Sequence, residues 1–238
     1  DFMATWAMQS ARDRVLDPGT GPGTLLASAY RRLAKLGARD PSSRLAGVEI
    51  SPLAPTFAAL ALAPHTQRRP TIHASDFLTG FRVPRRRYDA VIGNPPYSRH
   101  HALSQEYKRR IGRQADALLG EHLSLRAGIY VHFLVRSLAL LRQGGRLAFL
   151  IPRDFLDAQY GAALRRYLLR AARIHGIIVF DPANGSAFKD ALTTSVIVLL
   201  ERGTPTRSTV RVIHIRGSVT SDKLLRALNG KNPHGHLP

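Results

Sequence analysis

The short β-prone run Tyr88-Asp89-Ala90-Val91-Ile92-Gly93 stops at Asn94-Pro95-Pro96-Tyr97. Neither proline can donate to a strand ladder and each fixes its own φ, so the run reads as a buried strand ended abruptly at its carboxyl end. Such strands build open α/β sheets, in which ligands gather outside the carboxyl ends. The tetrapeptide holds an amide, a backbone carbonyl and an aromatic ring in fixed positions. Two acceptors and a flat surface suit a planar ring bearing an exocyclic amine. A Pro-Pro turn with an incidental Tyr fits these four residues equally well.

Upstream, Arg14-Val15-Leu16-Asp17 leads into Pro18-Gly19-Thr20-Gly21-Pro22-Gly23-Thr24, and Leu25-Leu26-Ala27-Ser28-Ala29-Tyr30 opens a helical pattern. Glycines let backbone approach a ligand closely, and a helix amino end offers N–H groups. Pro22 departs from a dinucleotide fingerprint. Leu45-Ala46-Gly47-Val48-Glu49 ends a second run on a carboxylate suited to a ribose diol. Thr71-Ile72-His73-Ala74-Ser75-Asp76-Phe77 ends a third on a carboxylate beside an aromatic. Singly, each is an ordinary loop carboxylate. Together with Asn94 to Tyr97, four successive run ends point to one shared site.

Strand-like runs alternate with helical stretches, as a mostly parallel, doubly wound α/β sheet demands. Residues 98–125 form a polar, basic stretch longer than a usual connection, read as a functional insertion or as partly disordered. Tyr130 to Leu141 reads as an apolar helix closed by Gly144-Gly145, and residues 146–151 as a strand stopped at Pro152. Residues 158–172 read as a helix. Residues 174–180 and 194–200 read as an antiparallel pair, joined by a loop carrying Asn184-Gly185 and Phe188. Gly203-Thr204-Pro205-Thr206 reads as a linker before a strand-like run at 210–215.

The formal net charge is +19, which favours a polyanionic partner. Only five of the 35 basic residues are Lys, so coding bias is an alternative source for some of the Arg excess. Arg99 and Lys108-Arg109-Arg110 with Arg113, near the tetrapeptide, are the better phosphate candidates. The chain has no cysteine, which removes disulfides, thiolate zinc sites and a cysteine nucleophile. Methylation at cytosine C5 and Cys-ligated zinc deamination fall with them. The histidines show no spacing to carboxylates that suggests a metal site. No apolar run reaches membrane length, so a soluble, cytoplasmic protein is expected.

These residues resemble the class I S-adenosylmethionine-dependent methyltransferases, and among them the adenine-N6 DNA methyltransferases of restriction–modification type in the gamma arrangement. The resemblance rests on Asn94-Pro95-Pro96-Tyr97 with Ser98-Arg99, on Gly144-Gly145-Arg146-Leu147-Ala148-Phe149-Leu150-Ile151-Pro152, and on Ala187-Phe188 ahead of Thr194-Ser195-Val196-Ile197-Val198-Leu199. It implies a seven-stranded, mostly parallel sheet with an antiparallel last strand. It also implies a methyltransferase domain over residues 1–202, truncated at its start. Residues 203–238 would then be a linker and the start of a target-recognition region that the chain lacks.

By the same resemblance, Asp17, Pro18, Gly19, Thr20, Gly21 and Gly23 hold the methionine part of S-adenosylmethionine. Glu49, with Ile50, binds its ribose, and Asp76 and Phe77 meet its adenine. Asn94, Pro95, Pro96 and Tyr97 hold the target base, with Asn94 also bordering the cofactor and Phe188 touching the base from another side. The implied reaction moves a methyl group to the N6 amine of an adenine flipped from double-stranded DNA, in restriction–modification or phage defence, without a metal. Alternatives are an RNA base or protein-glutamine N-methyltransferase, or a nucleic-acid-binding subunit that no longer acts. Oligomeric state stays open.

Overall fold

The computed structural model describes residues 1–66, 68–97, 103–124, 126–180, 195–204, 209–217 and 219–230. Along the chain run α1 (Phe2–Ala7), β1 (Val15–Pro18), α2 (Thr24–Lys35), β2 (Leu45–Glu49), α3 (Ala54–Leu62), β3 (Thr71–Ala74) and β4 (Tyr88–Gly93). They are followed by α4 (Gln105–Leu119), α5 (Ile129–Leu140), β5 (Leu141–Pro152), α6 (Ala162–Ala171), β6 (Ala172–Phe180), β7 (Ser195–Arg202), β8 (Arg211–Ile215) and α7 (Ser221–Leu228). The strands make one sheet in the order β3-β2-β1-β4-β5-β7-β6-β8. All pairings are parallel except those of β7, which runs antiparallel to both β5 and β6.

Alternation along the central strands separates two cores. Leu147, Phe149 and Ile151 of β5 face α4, α5 and α6, where Ile111, Leu134, Leu138 and Leu164 are buried. Ala148 and Leu150 face the opposite side, with Leu26, Leu33 and Met8. Phe149 is fully buried, and truncating such a side chain to Ala costs about 3–5 kcal/mol. Its ring also explains Gly93: a Cβ there would stand 2.7 Å from Phe149 Cε1. The residue before Asn94 must therefore be small.

The strand order reverses between β1 and β4, the switch point at which open α/β sheets bind ligands. Because β3, β2, β1 and β4 are adjacent and parallel, their carboxyl ends share one edge. This brings Asp17, Glu49, Asp76 and Asn94 together although they span 78 positions of sequence (94 − 17 + 1).

Several expectations change. The described sheet has eight strands, not seven, because β8 adds parallel to β6 and α7 packs over it. Ile213, Ile215, Leu224 and Ala227 are buried in the same core as α1, so residues 211–228 continue the sheet domain past the boundary expected at 202. Gly144-Gly145 does not close the helix: α5 ends at Leu140 and β5 begins at Leu141, with both glycines inside it. There the pairing with β4 slips, Tyr88 facing Leu141 while Ala90 faces Arg146, and Gly144 takes φ +71. The polar stretch after the tetrapeptide contains a 15-residue helix, α4. The helix expected at 158–172 begins at Ala162, after a 3₁₀ turn at Gln159–Gly161. Ser98, Arg99, Asn184, Gly185 and Phe188 lie outside the described residues.

Candidate cofactor and substrate site

The loop after β1 is drawn tight by its own hydrogen bonds. Gly19 N and Thr20 N both donate to the Val48 carbonyl, at 2.8 and 3.1 Å, and Gly23 N donates to the Thr20 carbonyl at 3.0 Å. Thr20 Oγ1 donates to the Asp17 carbonyl at 2.8 Å, and Gly21 N to Glu49 Oε2 at 3.0 Å. These amides are used within the protein, so the loop is not a cradle for phosphate, although its glycines suggested N–H groups facing a ligand. Gly19 has φ +75, and a Cβ on it would touch Phe133 Cε1 at 3.5 Å and Pro96 Cδ at 3.7 Å. It thus turns the backbone between the tetrapeptide and α5.

Glu49 is the loop's tether. Besides Gly21 N, its carboxylate accepts from Ile50 N at 2.9 Å and Ser51 N at 3.3 Å, through Oε1. A carboxylate has about four acceptor positions, so one remains for a ligand hydroxyl. Asp17 is the opposite case. Its side chain is buried, and neither oxygen has a hydrogen-bond partner among the described residues. Burial, with the Glu49 carboxylate adding to it, pushes the Asp17 carboxyl up to about 8. An orphaned carboxyl beneath a ligand loop is poised for a cationic group.

A cavity of about 300 Å³ opens over these strand ends. It brings together Gly19, Glu49, Ile50, Asp76, Phe77, Asn94 and Pro96 of the expected residues. Tyr107 from α4 and Ile129 and Phe133 from α5 also line it. Asp76 Oδ1 accepts from Leu78 N at 2.8 Å, and Oδ2 accepts from Thr79 Oγ1. The Arg136 guanidinium lies 5.5 Å from the Phe77 ring centroid and donates to the Phe81 carbonyl at 2.6 Å, fixing the turn beneath Asp76. Phe77 itself packs against Phe133, with centroids 5.0 Å apart.

At the tetrapeptide Pro95 is buried while Asn94 and Pro96 are exposed towards the cavity mouth. The Tyr97 hydroxyl donates to Asn94 Oδ1 at 2.8 Å and stands 3.3 Å from the Leu150 carbonyl of β5. Burial pushes its phenol up, opposed by a hydrogen bond with Ser195 at the start of β7. Three strand ends thus converge on one hydroxyl. Asp17, Pro18, Thr20, Gly21, Gly23, Pro95 and Tyr97 do not line the cavity.

Sequence reasoning missed Tyr107, Ile129, Phe133 and Arg136. Of these only the aromatics carried any signal, and that signal reads as core. A larger cleft, about 870 Å³, lies at the amino ends of β5, β6 and β8 and is lined by Arg146, Arg173 and Arg211. It is at the opposite edge of the sheet from the carboxylates, so its size does not make it the site.

The donor set fits S-adenosylmethionine: a buried orphan carboxyl for a cation, Glu49 with an open position for a diol, and Asp76 beside Phe77 for a purine. The profile of the family described as Eco57I restriction-modification methylase matches residues 45–186. Type II methyltransferase M.XamI of Xanthomonas campestris pv. amaranthicola is 32% identical over 217 residues, 90% of this chain and 38% of that protein. The tRNA1(Val) (adenine(37)-N6)-methyltransferase of Aliivibrio fischeri is 31% identical over 154 residues, covering 63% of this chain and 57% of that protein. The type I restriction-modification methyltransferase subunit of Streptococcus thermophilus superposes with a TM-score of 0.70 at 20% identity, over 99% of this chain and 52% of that one. This last likeness shows a shared fold, and the chain spans well under two thirds of each of these proteins. The profile match covers more than half of the chain and includes Glu49, Asp76 and the tetrapeptide; the chain belongs to the Eco57I restriction-modification methylase family.

Proposed function

We propose that this chain carries the catalytic domain of a DNA methyltransferase that modifies the N6 amine of adenine and binds S-adenosylmethionine in the cavity over the strand ends. The observation that carries the reading is the shared wall: Glu49, Asp76 and Phe77 line the same 300 Å³ cavity as Asn94 and Pro96. A cofactor held by the first three therefore ends where the tetrapeptide begins. Bound S-adenosylmethionine supplies a methyl group activated by a positively charged sulfur.

The remaining chemistry belongs to the chain. An aryl amine is a poor nucleophile because its lone pair is delocalised into the ring. Asn94 Oδ1 and the Pro95 carbonyl accept the two amine hydrogens, favour a pyramidal nitrogen and stabilise the positive charge that grows there. Alignment of amine and methyl contributes up to about 7–11 kcal/mol. The target base must leave the duplex, and the Tyr97 face offsets part of that cost, stacking being worth roughly 1–3 kcal/mol per base. Arg109 and Arg113, exposed one turn apart on α4, provide a cationic face for phosphates beside the mouth.

A second reading, methylation of transfer RNA adenine, is favoured by the likeness to the Aliivibrio fischeri enzyme. It shares the amine chemistry and differs in the polyanion. Isotopic methyl transfer to duplex DNA and to transfer RNA, followed by nucleoside analysis, separates the two. N6-methyladenine in DNA supports the first reading, and label confined to transfer RNA supports the second. Cofactor binding without transfer to nucleic acid or protein leaves a binding subunit that no longer acts.

A further inference from the structure

The wall of the cavity next to Asp76 is closed by a residue from outside the strand ends. Tyr107 stands at the third position of α4, where the Ser104 side chain caps the helix by accepting from Tyr107 N at 3.2 Å. The start of the helix thereby sets where the phenol goes, and it lines the cavity beside Asp76 and Phe77. Arg110, three residues on, donates Nη2 to the Thr79 carbonyl at 3.1 Å, and Thr79 Oγ1 donates to Asp76 Oδ2. So Arg110 latches α4 to Thr79, which in turn holds Asp76. Burial, and then the facing Asp76 carboxylate, raise the Tyr107 pKa, with Arg110 opposing. The phenol therefore keeps its proton and can donate it to the facing Asp76 carboxylate.

Asp76 is left nearly saturated. Leu78 N and the Thr79 hydroxyl take two of about four acceptor positions, and the Tyr107 phenol on the same cavity wall is placed to take a third. An exocyclic amine brings two hydrogens, and the carboxylate has room for one. The phenol oxygen, its own proton turned towards Asp76, is the next acceptor on the same wall. Resting on the reading that this cavity holds S-adenosylmethionine, we propose that Tyr107 is a specificity-determining residue for the purine end of the cofactor. Its oxygen accepts the second amine hydrogen, so a 6-amino purine is favoured over a 6-oxo purine. A site built to hydrogen-bond a group discriminates strongly against analogues that lack it.

The test is calorimetric binding of S-adenosylhomocysteine and of S-inosylhomocysteine to the whole chain and to Tyr107→Phe. This variant keeps the ring and the helix cap, and its melting temperature confirms that it folds. Loss of one hydrogen bond predicts about tenfold weaker binding of the adenosyl ligand and less than about twofold change for the inosyl ligand. Discrimination between the two should therefore shrink about tenfold. Equal weakening of both ligands assigns the ring to packing and overturns the inference, as does unchanged binding of the adenosyl ligand. If the unaltered chain binds neither ligand, the cofactor reading fails and takes this inference with it; if it binds and the variant matches it, only the inference fails.

Discussion

The Tyr97 hydroxyl is hydrogen-bonded to Asn94 Oδ1 at 2.8 Å, so the aromatic ring of the tetrapeptide orients the very oxygen assigned to the target amine. A carbonyl oxygen has two lone pairs, and one remains for the amine. In the proposed function the Tyr97 side chain therefore has two tasks, stacking on the base and holding Asn94.

Three variants separate these tasks. Tyr97→Phe keeps the stacking face but releases Asn94, and should slow methyl transfer by roughly 2–13-fold, the worth of one neutral hydrogen bond of about 0.5–1.5 kcal/mol. Tyr97→Ala should also lose capture of the flipped base, adding roughly 1–3 kcal/mol. Asn94→Ala should lower the rate by about 10²–10³, as for loss of a preorganised polar group at a transition state, with cofactor affinity changed little. Single-turnover methylation and calorimetry on the same variants check this. Near-normal methylation by Asn94→Ala would remove the tetrapeptide from the chemistry.

Glu49 tethers the Gly21 loop and, in the proposed function, also accepts from a cofactor hydroxyl. Glu49→Ala should weaken cofactor binding by about 1.5–3 kcal/mol for the one charge-assisted bond removed, and should also lower the melting temperature of the unliganded protein. Glu49→Gln can still accept from Gly21 N, so it should recover stability more than affinity. A variant pair that loses affinity with no difference in melting would show that the tether is incidental.

Asp17 should make unliganded stability fall as pH rises. An unfolded chain gives up this proton near pH 4, whereas the buried carboxyl keeps it to about 8. Between those values the folded state holds more protons, so raising pH favours unfolding; above about 8 the effect is constant. Asp17→Asn should abolish this slope and melt higher than the unaltered protein at pH 8 and above, with the gap closing towards pH 4. A cationic ligand group beside Asp17 should favour its charged form, so cofactor binding near pH 7 should release a proton. The calorimetric enthalpy should then vary with the ionisation enthalpy of the buffer, and should stop varying in Asp17→Asn.

Arg109 and Arg113 are exposed on successive turns of α4. If they neutralise phosphates, replacing both by Ala should lower the slope of log affinity against log salt by about 0.9 for each phosphate no longer neutralised, equally for any duplex sequence. Weakening confined to one sequence would mean that the helix reads bases instead.

The four strand ends were legible in the sequence because each carries its own local signal. An apolar run, a breaker and a polar residue sit within a few positions, and a parallel sheet has only one edge at which such ends can gather. Asp17, Glu49, Asp76 and Asn94 meet for that reason. Gly144-Gly145 misled because a glycine pair suits both a helix stop and an irregular strand start; only the slipped pairing of β5 on β4 decides between them. The strand-like run at 210–215 could be read, but its place beside β6 depends on α7 and α1 covering it.

Tyr107, Ile129, Phe133 and Arg136 belong to the site only through tertiary structure. In sequence they are an aromatic residue of an amphipathic helix and three members of an apolar one, one of them basic, patterns that burial alone would produce. Helix packing across the sheet turns them towards strand ends far upstream: Phe133 lies against Gly19, 114 positions earlier (133 − 19). Hydrophobic periodicity states which face of a helix is buried, since that follows from the spacing of side chains around one axis. It does not state what lies opposite, because that depends on how far each helix slides and turns on the sheet before its side chains interlock.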